Sequence, residues 1–318
     1  MEQMTYAQAA ARAVADAMRQ DSTVWCVGED LGRGGVFKQY ADLPEEFGPD
    51  RISDAPISEA AIMGAAFGAA LVGTRPIVEM RFADFALCAT DELVNQIAKA
   101  RFMFGGQSRA PMVIRKPMGM WRSSAAQHSQ SLESWYVHIP GLVVCCPATP
   151  QDNYSMMRAA IACDDPVVYL EHKDIWALEG PVDVAEDYAF GKARRRTDGN
   201  DLTIVSWSNT ANLAAEAALT LAGEGVGANV LDLRSLWPWD KESVLESVRR
   251  TGRLLIAHES VQVGGFGAEV AATVAEHAPC RIKRLGSPRS LISYAPNLED
   301  QLRVTEQMIV DAARAMWS

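Results

Sequence analysis

The chain has little positive charge for its size, no cysteine pair at metal-binding or redox spacing, and no long uncharged apolar run. Thirty Lys and Arg stand against 40 Asp and Glu, a net charge of −10. Non-specific nucleic-acid binding draws on clustered basic side chains, so no nucleic-acid partner is expected, and an anionic membrane surface would repel the chain. The six cysteines (Cys26, Cys88, Cys145, Cys146, Cys163, Cys280) show no CxxC spacing. Cys145 and Cys146 sit in the apolar run LVVCCP, where thiols act as small hydrophobes, and a reducing, cytoplasmic setting is the expectation. No apolar stretch approaches the ~20 residues needed to span a bilayer. The N-terminal MEQMTYAQAAARAVADAMRQD lacks the apolar centre of a signal peptide and carries acids that transit peptides avoid. GxGxxG, Walker, GxSxG and HExxH signatures are all missing.

What is present is the composition of a globular protein, 48% hydrophobic and 22% charged. At about 150 residues per domain, 318 residues suggest two domains. Short apolar runs bounded by Gly and Pro (VWCVG, RPIVEMR, PMVIRKP, LVVCCPA, PVVYLEHK) alternate with helical patterns. The residues from ALEGPVDV to RRRTDGND are rich in charge and breakers, and the run Arg194–Arg196 reads as a solvated edge. A second alternation follows, from DLTIVSWS to a C-terminal helical segment, NLEDQLRVTEQMIVDAARAM, that Asn297 is placed to cap. The fold class is α/β: two domains, each a mostly parallel sheet flanked by helices, spanning 1–178 and 200–318 with a linker at 179–199.

Single residues leave alternatives open. Glu59, after Ser58 at the start of the helix EAAIMGAAFGAALVG, is a capping acid or a buried functional carboxylate. The small face around Gly64 and Gly68 suits close packing by a helix or a ligand. RFADF places Phe82 and Phe85 around Asp84 after a strand, as core or as a ring-binding wall. His128, in HSQS, is a structural or a catalytic histidine. GRGG (32–35) and GGFG (264–267) read as turns or close-packing points. His258 precedes Glu259 at a strand end.

In order along the chain, GEDLGRGGVF, FGPDRISDAPISEAAIMGAAFGAALVGTRPIVEMRFADF, DELVNQIAKARFMFGG, AAQHSQSLESWYVHIPGLVV, DDPVVYLEHK, HESVQVGGFGAEVAA and SYAPNLED form one pattern. It resembles the β subunit of the thiamine-diphosphate-dependent decarboxylating component of 2-oxo acid dehydrogenase complexes, the pyruvate, branched-chain and acetoin type, over nearly the whole chain. The resemblance implies a transketolase-like architecture: a pyrimidine-binding domain, then a transketolase C-terminal domain. It implies a heterotetramer with an α subunit that holds the diphosphate and Mg2+ through a GDG–Asn motif. This chain has only TDGN (197–200). A second β chain and a lipoyl acyltransferase are the other implied partners, and the chain alone would be inactive.

The resemblance also assigns roles. Glu59 matches the glutamate that hydrogen-bonds the cofactor's aminopyrimidine, Phe85 the aromatic residue beside that ring, and Phe82 and Glu29 lie in cofactor-proximal motifs. His128 matches the histidine near the lipoyl channel. A potassium ion held by main-chain oxygens is implied at Ile114, Ala160, Ile161, Cys163 and Asp165. Many family members carry Gln where this chain has Arg81. That arginine either pairs with an acid such as Asp84 or Glu79 or one from the partner chain, or reaches the substrate. The competing readings are the C-terminal half of a split transketolase, which needs no lipoyl carrier, and a non-catalytic scaffold subunit.

Overall fold

The computed structural model describes residues 1–317. The chain forms two compact units, one of residues 1–118 and 135–189, the other of residues 119–134 and 190–318. The sequence boundaries do not anticipate that residues 119–134, the segment carrying His128, pack with the second unit. They leave the first unit because polar contacts, described below, hold them to 207–266.

In the first unit the parallel strands run Val143–Cys145, Val167–His172, Val113–Met118, Arg75–Glu79, Val24–Gly28 and Ile52–Asp54, in that spatial order. Apart from Arg75 the central strands are buried throughout, the continuous burial expected of a sheet covered on both faces. The helix Tyr6–Gln20 begins at Thr5, whose hydroxyl accepts from the Gln8 amide while the Gln8 side chain accepts from Thr5, a reciprocal cap. Tyr6, Ala9, Ala10, Ala13, Val14 and Met18 form its buried face. Glu2–Thr5 pairs antiparallel with Glu179–Val182, a strand in the stretch read as linker.

Two helical expectations change. The predicted long helix after RFADF is a 3-10 turn (Phe85–Ala89), a π segment (Glu92–Ile97) and a short α turn (Ala100–Met103). The Ala98 amide bonds the Leu93 carbonyl, which widens the turn. Near the C-terminus, Asn297 caps nothing: a short turn, Pro296–Glu299, follows Ala295, and a separate helix, Glu306–Arg314, starts at Thr305, whose side chain accepts from the Met308 amide.

The second unit has the strand order Arg281–Ser287, Arg253–Val261, Leu202–Ser206, Ala228–Asp232 and Arg194–Arg195. All are parallel except the last, an antiparallel edge. Its core includes Leu202, Ile204, Val230, Leu255, Ile309 and Val310. Among the described residues no helix is long and apolar enough to cross a membrane, and the cysteines are free thiols.

Candidate active site

Parallel strands deliver their following residues to one edge, where α/β folds place ligands. Val24–Gly28 and Arg75–Glu79 are neighbours with Gly28 opposite Glu79. A Cβ on Gly28 would lie 2.7 Å from the Glu79 carbonyl oxygen, so only glycine admits this approach. Just beyond, Glu29 and Asp30 meet Arg81: Nη1 stands 3.4 Å from Glu29 Oε2 and Nη2 3.2 Å from Asp30 Oδ2. Arg81 therefore pairs with neither Asp84 nor Glu79, the acids the sequence offered; register, not sequence proximity, selects its partners. Glu29 is buried. Burial first, then the negative charge of Glu59, hold its carboxyl above the ordinary range, opposed by Arg81.

Glu59 opens the helix Glu59–Leu71 and is half-buried. Ser58 makes no side-chain cap bond, so the helix start is not closed by its own hydroxyl. Phe82 and Phe85 meet edge to face at 5.2 Å, Phe37 meets Phe82 at 5.6 Å, and Trp176 lies 5.0 Å from Phe37. The Lys173 ammonium sits 4.9 Å from the Phe82 ring centre, a cation–π contact. The Met80 amide bonds the Arg115 carbonyl and the Ala83 amide the Pro117 carbonyl, fixing the segment that carries Arg81, Phe82 and Phe85. Glu29, Glu59, Arg81, Phe82 and Phe85 thus share the first unit, with Arg81 linking Glu29 to the segment that carries the two rings.

Beneath this edge lies a buried ionic network that the sequence reading missed. Arg115 pairs with Glu171, its Nη2 3.0 Å from Oε1, and its Nε is 3.7 Å from Glu79. The Tyr40 hydroxyl donates to Glu79 at 3.0 Å and the Asn153 amide to Glu171 at 2.9 Å. Burial raises the Glu79 carboxyl to about 7, against the pull of Arg115. Lys116, also fully buried, sits 3.9 Å from the Tyr136 ring centre, and burial pushes its amine well down. The signal was available: charges inside otherwise apolar strands, VIRKP and VYLEHK, mark paired buried ions.

Three of the main-chain oxygens expected to hold potassium, those of Ala160, Ile161 and Cys163, accept hydrogen bonds. Arg75 Nη1 donates to the carbonyls of Ile161 at 3.1 Å and Cys163 at 3.0 Å, and Nη2 to Asp164 Oδ1 at 2.7 Å. The Ala160 carbonyl accepts from the Cys163 amide. Ile114 is a central-strand residue paired with Val78 and Val168, so its carbonyl belongs to the sheet. Asp165 gives its carboxylate to Arg101 at 2.7 Å.

In the second unit, His128 is half-buried and follows Arg122, Ser123 and Ala125, all with positive φ (47°, 58° and 61°). Such clusters of left-handed non-glycine residues persist where the surroundings enforce them, often at functional loops. The Met120 amide and the Ser131 hydroxyl donate to Glu259 Oε1 at 2.8 and 3.2 Å, the Trp207 indole to Glu133 Oε1 at 3.0 Å, and the Phe266 amide to Ser134 Oγ at 2.9 Å. His258 is core: it stacks on Trp207 at 5.0 Å and bonds Ser260, and burial lowers its imidazole to about 4. Gly265 and Gly267, of the GGFG loop, pack on its ring so tightly that an added Cβ on either would come within 2.7 Å. The loop is a close-packing device.

Residues 2–177 match the transketolase pyrimidine-binding domain family and residues 191–309 the transketolase C-terminal domain family. The 2-oxoisovalerate dehydrogenase subunit beta of Bacillus subtilis is 38% identical over 99% of both chains. The acetoin:2,6-dichlorophenolindophenol oxidoreductase subunit beta of Cupriavidus necator is 40% identical over 95% of this chain and 94% of its own. The pyruvate dehydrogenase E1 component subunit beta of Rickettsia bellii is 37% identical over 98% of both. The chain belongs to this family of transketolase-type dehydrogenase β subunits. A solved structure titled a split gene transketolase, inactive β4 tetramer, superposes with a TM-score of 0.84 over 98% of this chain and 97% of its own, at 24% identity. That likeness shows the shared fold. Within the family's pyrimidine-binding match fall Glu29, Glu59, Arg81, Phe82, Phe85 and the Arg115 network; the strands carrying His258 fall within the C-terminal match.

Proposed function

We propose that this chain is the β subunit of a thiamine-diphosphate-dependent 2-oxo acid or acetoin dehydrogenase, holding the pyrimidine end of the cofactor and working only with an α partner. The observation that carries the reading is the acid pair Glu29 and Glu59, held at the sheet edge by Arg81, the residue that leads into the Phe82–Phe85 ring pair. A shielded carboxylate facing a weakly basic ring nitrogen keeps a proton shared between them. Glu59 takes that role, its Oε atoms holding the proton; Glu29, its carboxyl raised by burial, is the second polar contact. Phe85 and Phe82 hold the ring and exclude water. When bound, thiamine diphosphate supplies the electron sink for the bond broken beside the substrate carbonyl.

The α subunit supplies the diphosphate and Mg2+ contacts, because TDGN lies in the stretch just before the strand Leu202–Ser206 and has no GDG–Asn spacing. His128 serves the acyl-accepting step at the lipoyl group, donating a proton from its imidazole. Dehydrogenase relatives at 37–40% identity favour this reading over a split transketolase. The test is reconstitution with an α subunit that carries the GDG–Asn motif. Thiamine diphosphate binding and acyl transfer to a lipoyl domain by the pair, and neither by this chain alone, are the expected results. Ketol transfer between sugars without a lipoyl acceptor would replace the reading with the transketolase one.

A further inference from the structure

The second unit encloses a cavity of about 110 Å³. One wall is the segment 120–132; the other is the ends of two paired strands, Arg253–Val261 and Arg281–Ser287, with the loop that follows the second. Met120, Leu132, Val261, Ile292 and Leu302 make much of the lining apolar. Among the described residues the one charged side chain on the wall is the Glu259 carboxylate, and no basic side chain lines it. The Met120 amide and the Ser131 hydroxyl fix that carboxylate through Oε1. Ser129, 1% exposed, lines the cavity with a hydroxyl that has no hydrogen-bond partner among the described residues. A buried hydroxyl left unpaired is a cost that a bound polar group removes. Glu133, buried in the same unit, has its carboxyl raised by burial and further by the charge of Glu259, so a positive charge beside Glu259 would ease both acids.

We propose that this cavity binds a small free primary amine in its ammonium form: Glu259 takes the charged head, the Ser129 hydroxyl oxygen accepts from it, and the apolar wall covers a short alkyl tail. An ammonium has three donors and no acceptor, which suits a carboxylate and a hydroxyl oxygen. A cavity of about 150 Å³ holds one benzene, so the space here admits a slightly smaller molecule. A carboxylate ligand, the 2-oxo acids included, would meet Glu259 as a like charge, so the cavity is no second seat for the substrate. Among the described residues no three His, Cys, Asp or Glu side chains gather to hold a metal ion. Ala126 and Ser129, on either side of His128, both line the cavity, so an occupant rests against the segment that carries that histidine.

The test titrates the full chain, by calorimetry and thermal midpoint, with isobutylammonium chloride, isobutanol and sodium isobutyrate at equal ionic strength. Isobutylammonium is expected to bind saturably, with a Kd of about 1 mM or tighter. Isobutanol should bind at least tenfold more weakly and isobutyrate not at all. No saturable binding of isobutylammonium, or equal binding of either other probe, would overturn the proposal. The methylamide of N-acetyl-lysine carries the same head on a peptide; tighter binding of it than of isobutylammonium would replace the free amine with a lysine side chain. Glu259→Gln is expected to weaken isobutylammonium at least tenfold and leave isobutanol unchanged; an unchanged affinity for isobutylammonium would refute the site. Should Glu259→Gln fail to fold, Ser129→Ala serves, since it removes an unpaired buried hydroxyl. It is expected to melt no lower than the natural chain and to bind isobutylammonium severalfold more weakly; equal or tighter binding would refute the site.

Discussion

Arg81 reaches across two strand ends to the buried carboxylate of Glu29, with Nη1 3.4 Å from Oε2. The pair explains how two acids, Glu29 and Glu59, are tolerated close together: one carries a counter-cation and is held up by burial. It also gives Arg81 a place as a positioning residue that acts through the acid pair.

Arg81→Gln should therefore raise the Glu29 carboxyl further and cost about 1–2 kcal/mol of stability, between the worth of exposed and of buried pairs. Across a panel of 2-oxo acids the reconstituted variant should lose activity in parallel. A changed rank order would show instead that the guanidinium contacts substrate.

Glu59→Gln keeps the size and a hydrogen bond but removes the shared proton. Turnover of the reconstituted enzyme should fall by about 10²–10⁴, the usual worth of a general acid–base group, while the circular dichroism spectrum and thermal midpoint hold. Hydrogen–deuterium exchange at the thiazolium carbon of the bound cofactor should slow in step. Unslowed exchange would remove Glu59 from this role.

His128→Ala should spare decarboxylation followed with an artificial electron acceptor more than the full reaction with a lipoyl domain. Equal losses in both assays would move His128 to the decarboxylation step.

His258 gives the chain an acid sensitivity of known sign. Its imidazole falls from 6.5 to about 4 on folding. Between those values the unfolded chain binds more protons than the folded one, so stability is full above about pH 6.5 and is lost as pH falls toward 4. The shift corresponds to a few kcal/mol, at about 1.4 kcal/mol per unit. Denaturant melts of His258→Phe should show a shallower loss over that window. Gly267→Ala should destabilise by about 1–3 kcal/mol at every pH, because its Cβ would lie 2.7 Å from His258 Nε2. A matching pH slope in His258→Phe and the natural chain would locate the sensitivity elsewhere.

The alternation of short apolar runs with helical periods determined the α/β class, because side-chain burial on a covered parallel sheet is written locally as continuous apolar strands. Local chemistry also determined the Thr5 cap, whose donor and acceptor lie three residues apart. Ordered motifs, each short, placed Glu29, Glu59, Phe82 and Phe85 on the shoulders of those elements.

Tertiary structure decided what depends on register between segments far apart in sequence. The partners of Arg81 come from a strand more than 50 positions earlier, chosen by the pairing of Gly28 with Glu79. Arg75 finds the 161–164 oxygens across more than 80 positions, and no spacing rule joins a strand start to a helix end. The segment 119–134 joins the second unit through two hydrogen bonds to Glu259 and one each to Trp207 and Phe266. Periodicity reports which face of an element is buried; it carries no record of which distant polar group a buried polar group will meet, and those meetings set the charges at this site.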